Sequence, residues 1–232
     1  MTTVLVDGDI VAYRASYACE NEPVEYAVEY AGELLSGVFY DCIFPDDIIL
    51  GHNAFVYLTG SNNFRHSVAT IKIYKGHRKP KPDHLNPIRQ HFVDVWKAEV
   101  SEGEEADDVI AKKATAMEGK VVIASIDKDF LQVPAVHYNF IKKTWKTVNK
   151  SQGNRFFYMQ LLTGDTADNI PGVKGIGPKK AEAIYEGCVG EPEYYRKALE
   201  AYKGDTEALL ENARLLWLRR EDNEMWVPPD ER

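Results

Sequence analysis

The run KVVIASIDKDF, residues 120–130, constrains the fold more than any other stretch. It is apolar without alternation, and it stops at two acids. A strand of this kind is buried on both faces, as central strands of parallel sheets are. TVLVD, residues 3–7, ends in Asp7 with Gly8 behind it, so it reads as a second buried strand that turns at once. FVYLT, residues 55–59, is a third. Helical patterns lie between them. Residues 9–19 begin one; 25–43 form another, interrupted by Gly32 and Gly37. Residues 86–98 put Ile88, Phe92, Val95 and Trp96 on one face, and 104–119 carry acids first and lysines later, as the helix dipole favours. Strands alternating with helices predict an α/β sheet.

After residue 150 the pattern is helical: 156–163, 178–186, then two tail helices in YYRKALEAYKG and DTEALLENARLLWLRRE, before an extended WVPPDER. No repeat or low-complexity linker intervenes. We therefore expect a core over residues 1–150 and a helical part over 151–232, packed together without a hinge. The 232 residues suit one large domain or a domain with an appendage. Cys19, Cys42 and Cys188 are far apart and form no CxxC pair, which implies a reducing, cytoplasmic setting and no zinc site. The opening MTTVLVDGDI lacks the basic region of a signal peptide, and no apolar run is long enough to span a membrane.

Acids recur at the places where an α/β sheet binds ligands. Asp7 ends the first strand; Glu105, Asp107 and Asp108 open a helix; Asp127 and Asp129 follow the central strand; Asp165 and Asp168 follow a short helix. Ligands of open parallel sheets sit outside the carboxyl ends of the strands. Singly, EEADD is an ordinary solvated helix start and DKD an ordinary turn. Together they are a costly gathering of like charge, which divalent cations would offset. Oxygen-only ligation suits Mg²⁺ or Mn²⁺, and two such ions can promote phosphodiester hydrolysis. The net charge of −8, from 28 basic and 36 acidic residues, argues at first against a nucleic-acid binder. Setting these eight acids aside leaves 36 − 8 = 28 acids against 28 bases, a balanced chain with one acidic pocket.

PGVKGIGPKKA, residues 171–181, has the form of a helix-hairpin-helix turn. Gly175 and Gly177 let the backbone come close to a partner, Pro178 suits a first helical position, and free N–H groups with Lys174, Lys179 and Lys180 would take a DNA phosphate without reading sequence. The bland reading is a structural hairpin between helices. No nucleophile elbow, Walker loop or dinucleotide fingerprint occurs, and no histidine has metal-ligand spacing.

In order along the chain, VDGDIVAYRA, NNFRHSVATIKIYKGHRKP, EEADDVIA, SIDKDFLQV and GDTADNIPGVKGIGPKKAEAI resemble the 5′-nuclease superfamily, which includes flap endonucleases, the 5′-nuclease domain of bacterial DNA polymerase I and phage 5′→3′ exonucleases. The likeness covers residues 4 to about 187, and the short chain with its NARLLWLRR tail is most similar to the phage enzymes. It implies a PIN-like, mostly parallel sheet flanked by helices, a helix-hairpin-helix DNA-binding subdomain and a short helical arch at about 74–98. It implies a metal-dependent 5′→3′ exonuclease or flap endonuclease acting as a monomer on duplex DNA, and on RNA–DNA hybrids, in phage replication or recombination within the host cytoplasm. By the resemblance, Asp7, Glu105, Asp107 and Asp108 hold one metal and Asp127, Asp129, Asp165 and Asp168 a second, with K⁺ a further candidate at the hairpin. Lys75 and Arg78 would flank the scissile phosphate, Arg65 would contact another phosphate, and Tyr74 would stack on a base; Asp107 and Asp127 would be central to catalysis. One departure stands out: the second strand carries Thr59 and Ser61 where the family has an acid, with Asp9 a possible substitute. Two other readings of the same residues are a DNA-binding protein without catalysis and a ribonuclease on this fold.

Overall fold

The computed structural model describes residues 2–43 and 54–231. Strand β1 (Thr2–Asp7) runs at the centre of the main sheet. It pairs in parallel with β2 (Ala54–Leu58) on one side and β4 (Lys120–Ala124) on the other. The short β3 (Glu99–Val100) extends the sheet beyond β2, and β5 (Ala135–Asn139) extends it beyond β4, again in parallel. Among the described strands of this sheet, β6 (Thr144–Val148), at the far edge, is the antiparallel one. The order is β3-β2-β1-β4-β5-β6. Neither β5 nor β6 was expected from the sequence. The signal is present in TWKTV, where the outer residues are β-branched or aromatic and exposed, as an edge strand tolerates.

The central strands are buried on both faces, and their alternation divides the core. Val4, Val6, Val56, Leu58, Val122 and Ala124 face one layer, built from α1 (Gly8–Ala18), α2 (Val24–Cys42) and α4 (Leu85–Asp94). Leu5, Tyr57, Val121 and Ile123 face the other, against α5 (Ala106–Ala116). Helix α1 starts directly from β1 because Gly8 has no side chain; a Cβ there would lie 2.6 Å from Val56 Cγ1. Between β2 and α4 in chain order comes the one-turn α3 (Arg65–Val68), followed by a loop over 69–84. Helix α4 stops at Asp94, short of the expected 98, so Val95 is exposed and outside its apolar face.

The predicted strand over 120–130 also ends early, at Ala124. Residues Lys128–Gln132 form a 3₁₀ turn, with the Asp127 side chain accepting from the Asp129 N–H. A third core gathers Phe157, Tyr158, Leu161, Tyr185, Tyr194, Leu209 and Trp226. It is made by α6 (Lys150–Thr163), α7 (Pro178–Ile184), α8 (Glu191–Ala201) and α9 (Thr206–Leu216). A two-stranded ribbon, β7 (Gly164–Asp165) with β8 (Ile170–Pro171), joins α6 to the α7 loop. No helix among the described residues is long and apolar enough to cross a membrane.

Candidate active site

The carboxyl ends of β1, β2 and β4 and the first turn of α5 open into one cleft. Asp7, Asp9, Thr59, Glu105, Asp107 and Asp127 line it, facing Lys75, Arg78, Lys81 and Arg89. The topology places each acid. Asp7 is the last residue of β1 and caps α1 by accepting from the Ile10 N–H at 3.2 Å. Asp127 follows β4 after Ser125, whose hydroxyl donates to Asp7 at 2.8 Å and accepts from the Asp127 N–H at 3.0 Å. Ser125 thus joins two of the acids and was not foreseen from the sequence.

Burial and neighbouring acids suppress ionisation across this cleft. Burial pushes Asp7 up to about 7, against hydrogen bonds from Ser125 and Ile10, with Asp127 and Glu105 adding repulsion. Asp107 is raised well above the carboxylate range by burial, then by Asp7, Glu105 and Asp127. Asp127 is raised by burial, and Asp168 and Asp165 add to it. Glu105 goes the other way: burial opposes its charge, but the Lys75 and Arg65 cations win.

The other acids predicted for the site divide into separate groups. Asp129 follows Asp127 across a 3₁₀ turn rather than a strand pleat. It accepts from Gln160 at 2.6 Å, and burial with the charges of Asp127 and Asp165 lifts it to about 7. Asp165 is ion-paired with Lys128 at 2.7 Å, which holds it below the usual range despite burial. Asp168 accepts from Tyr74 at 2.9 Å, pairs with Arg78 at 3.3 Å, and lies 3.7 Å from Lys75 Nζ. Lys75 also donates to Glu105, so it bridges the α5 acids and the Asp168 loop.

Three expectations need correction. Asp108 was read as a metal ligand, but it is fully buried behind the cleft and engaged by Arg65 and by the Arg219 N–H at 3.1 Å. Arg65 was read as a phosphate contact. Its guanidinium is consumed internally by Asp108 and the carbonyls of Leu215 and Trp217, both at 2.9 Å, and the residue is 1% exposed. Tyr74 was read as a base-stacking residue; it is 3% exposed, and its hydroxyl bonds to Glu105 at 3.0 Å as well as to Asp168. A sequence does not show which side of a helix start faces solvent.

In the α6–α7 segment, Gly175 has a φ of +80°, and Gly177 precedes Pro178 at the start of α7. Lys174, Lys179 and Lys180 lie on this turn, and Lys180 Nζ donates to the Gly175 carbonyl at 2.8 Å. Lys179 is exposed.

A parallel sheet with carboxylates collected at its carboxyl edge is the PIN-like arrangement. The family of the 5′-3′ exonuclease N-terminal resolvase-like domain matches residues 2–158, and the chain belongs to that family, within the 5′-nuclease superfamily. It is 30% identical over 244 aligned positions to the thermostable DNA polymerase I of Thermus filiformis, covering 91% of this chain and 28% of that protein. It is 33% identical over 168 positions to the flap endonuclease Xni of Pectobacterium carotovorum, covering 61% of this chain and 64% of that one. The chain therefore spans about a quarter of the polymerase and under two thirds of the flap endonuclease. Among solved structures, the bacteriophage T5 flap endonuclease in complex with DNA and metal ions superposes with a TM-score of 0.65 at 18% identity, over 93% of this chain and 89% of that one.

Proposed function

We propose that this chain is a divalent-metal-dependent nuclease that hydrolyses phosphodiester bonds of DNA at 5′ ends and flaps. The observation that carries the reading is the gathering of Asp7, buried, with Asp107 and Asp127, half-buried, in one cleft with Lys75 and Arg78, where desolvation and mutual repulsion suppress the ionisation of all three. The flap-endonuclease and polymerase relatives support it.

Among the described residues, no group of three or more His, Cys, Asp or Glu side chains is arranged to hold a metal ion as it stands. The donor chemistry nevertheless fits a hard cation such as Mg²⁺ or Mn²⁺. Every donor is a carboxylate oxygen, and a nearby dication would favour the ionised forms that burial opposes. Asp7, Glu105, Asp107 and Asp127 would hold one ion, and Asp129, Asp165 and Asp168 would contribute to a second. When bound, such ions supply Lewis acidity at a phosphoryl oxygen and a water of lowered pKa.

The chain's own side chains do the positioning. Lys75 and Arg78, now on Glu105 and Asp168, would turn to the phosphate that the acids receive. Their charge would offset the negative charge that grows on the phosphoryl oxygens during displacement. Lys174, Lys179 and Lys180 on the α7 turn would hold the duplex backbone away from the cleft. Residues 1–150 would then serve as the catalytic part, completed by Asp165 and Asp168, and the rest of 151–232 as the grip on duplex DNA. A K⁺ ion at the turn would have to displace Lys180 from the Gly175 carbonyl. Action as a monomer, in phage replication or recombination in the host cytoplasm, and on the RNA of RNA–DNA hybrids, completes the proposal.

A digest of 5′-labelled and 3′-labelled duplexes, flaps and hybrids, with Mg²⁺ and with EDTA, tests the reading. Release from 5′ ends or flaps that EDTA abolishes is expected. Binding without cleavage would leave the hairpin as a DNA-binding element only, and cleavage of RNA alone would make the chain a ribonuclease.

A further inference from the structure

The second strand lacks the acid that the family places there, and the structure shows what has replaced it. Thr59 follows β2 at the cleft wall. Its hydroxyl accepts from the Ala106 N–H at 3.0 Å, the first residue of α5. Its own N–H donates to Asp9 Oδ2 at 2.7 Å. The other oxygen of Asp9 takes the Arg89 guanidinium, which also donates from Nη2 to the Thr59 carbonyl at 2.5 Å. Asp9, Thr59 and Arg89 thus close a ring between α1, the end of β2 and α4, and the ring holds α5 by its first N–H.

We propose that Thr59 and Asp9 are positioning residues for the metal-binding acids, and that Asp9 is not itself a ligand. This rests on reading the cleft as a divalent-metal site. Glu105 and Asp107 flank Ala106, so the hydrogen bond from Ala106 to Thr59 sets where both carboxylates sit relative to Asp7. Asp9 is held more firmly than Glu105, whose partners Lys75 and Tyr74 are side chains: one Asp9 oxygen takes the Thr59 backbone N–H and the other takes Arg89, which is itself fixed on the Thr59 carbonyl. In place of one more ligand, this chain has a neutral brace that fixes two others. The brace also ties α4 to the catalytic edge, so the loop bearing Lys75, Arg78 and Lys81 is anchored where it returns to the core.

The test is Mn²⁺ binding to the full chain without nucleic acid, followed by calorimetry, with thermal melts to confirm folding. Thr59→Val keeps the shape and removes the acceptor; it should weaken Mn²⁺ by about fivefold, the worth of one hydrogen bond. Thr59→Ser should restore affinity to within about twofold, since the acceptor returns. Asp9→Ala should weaken binding as Thr59→Val does. The double variant Asp9→Asn with Arg89→Gln conserves net charge and keeps an oxygen for the Thr59 N–H, so it should bind Mn²⁺ nearly as the native chain does. Native affinity in Thr59→Val would overturn the positioning role. A double variant as weak as Asp9→Ala would make Asp9 a ligand and overturn the assignment. If the native chain itself bound no Mn²⁺, the metal reading would fall first and this inference with it.

Discussion

Arg65 and Asp108 meet as a two-pronged pair, Nη1 on Oδ2 at 2.5 Å and Nη2 on Oδ1 at 2.9 Å, with side chains 1% and 0% exposed. The pair stands behind the cleft rather than in it. Asp108 also accepts from the Glu105 N–H at 3.2 Å, and Arg65 reaches the carbonyls of Leu215 and Trp217. The start of α5 is thereby clamped to the end of α9, so the acid-bearing turn depends on packing about a hundred residues away in sequence.

Removing one partner of such a pair leaves an uncompensated buried charge. Arg65→Ala should cost about 3–5 kcal/mol in urea unfolding. Arg65→Lys should recover only part, because an ammonium cannot reproduce the planar fork. At temperatures where these variants stay folded, the salt dependence of DNA binding should match the native slope, since the Arg65 guanidinium is buried and engaged internally. A shallower slope would return Arg65 to the phosphate contacts.

Asp127 and Lys75 act at the chemical step in our reading. Asp127→Asn should abolish cleavage with Mg²⁺ while DNA binding in Ca²⁺ remains measurable. Lys75→Met should slow single-turnover cleavage by about 10²–10³-fold, the scale for losing one charged donor to a developing oxyanion. Its effect on DNA affinity should be small by comparison. An Asp127→Asn variant that cut at the native rate would remove Asp127 from the site.

His137 makes a prediction about stability against pH. It is buried on β5, and burial depresses its pKa, although its ring hydrogen-bonds with the Val133 carbonyl. The folded pKa is below the unfolded value of about 6.5, so the unfolded chain takes up the proton more readily. The contribution of neutral His137 is present above that value and is lost as pH falls through the folded pKa. Thermal melts from pH 7.5 to 5 should show a falling midpoint, and His137→Gln should make the fall shallower. An identical profile in the variant would assign the loss to other groups.

The strands most buried on both faces were the most legible in the sequence, because a continuous apolar run has few other fates. β1 and β2 are where TVLVD and FVYLT place them, and β4 takes up the start of KVVIASIDKDF, Lys120–Ala124. The edge hairpin β5–β6 escaped, since its outer strand is exposed up to Val148 and its residues are mixed. For the site, spacing alone grouped the acids but could not orient them. Asp107 and Asp108 are adjacent and identical in type, yet successive helical positions point about 100° apart, which sends one into the cleft and the other onto Arg65. Arg89 carried no signal at all: its partner Asp9 lies 80 residues away, and only the fold brings them together.

The α7 turn gives the sharpest test of nucleic-acid contact, because two neighbouring glycines answer differently. Gly175 has a φ of +80°, so Gly175→Ala should strain the free protein by about 1–2 kcal/mol whatever it binds. Gly177 has a φ of −99°, and a Cβ there would meet nothing within 4 Å. Gly177 is the N-cap of α7, where Ala is poorer than Gly, so Gly177→Ala should cost at most about 1 kcal/mol, through the cap alone. If the DNA backbone packs against this turn, the new methyl group will stand in its way, and duplex affinity in Ca²⁺ should fall although the fold does not change. Lys179→Ala separates charge from shape at the same place: it should lower the slope of log affinity against log salt by about 0.9, the value for one phosphate contact. Anisotropy titrations at several salt concentrations read both effects. Native affinity in Gly177→Ala together with a native slope in Lys179→Ala would show that the turn only joins two helices.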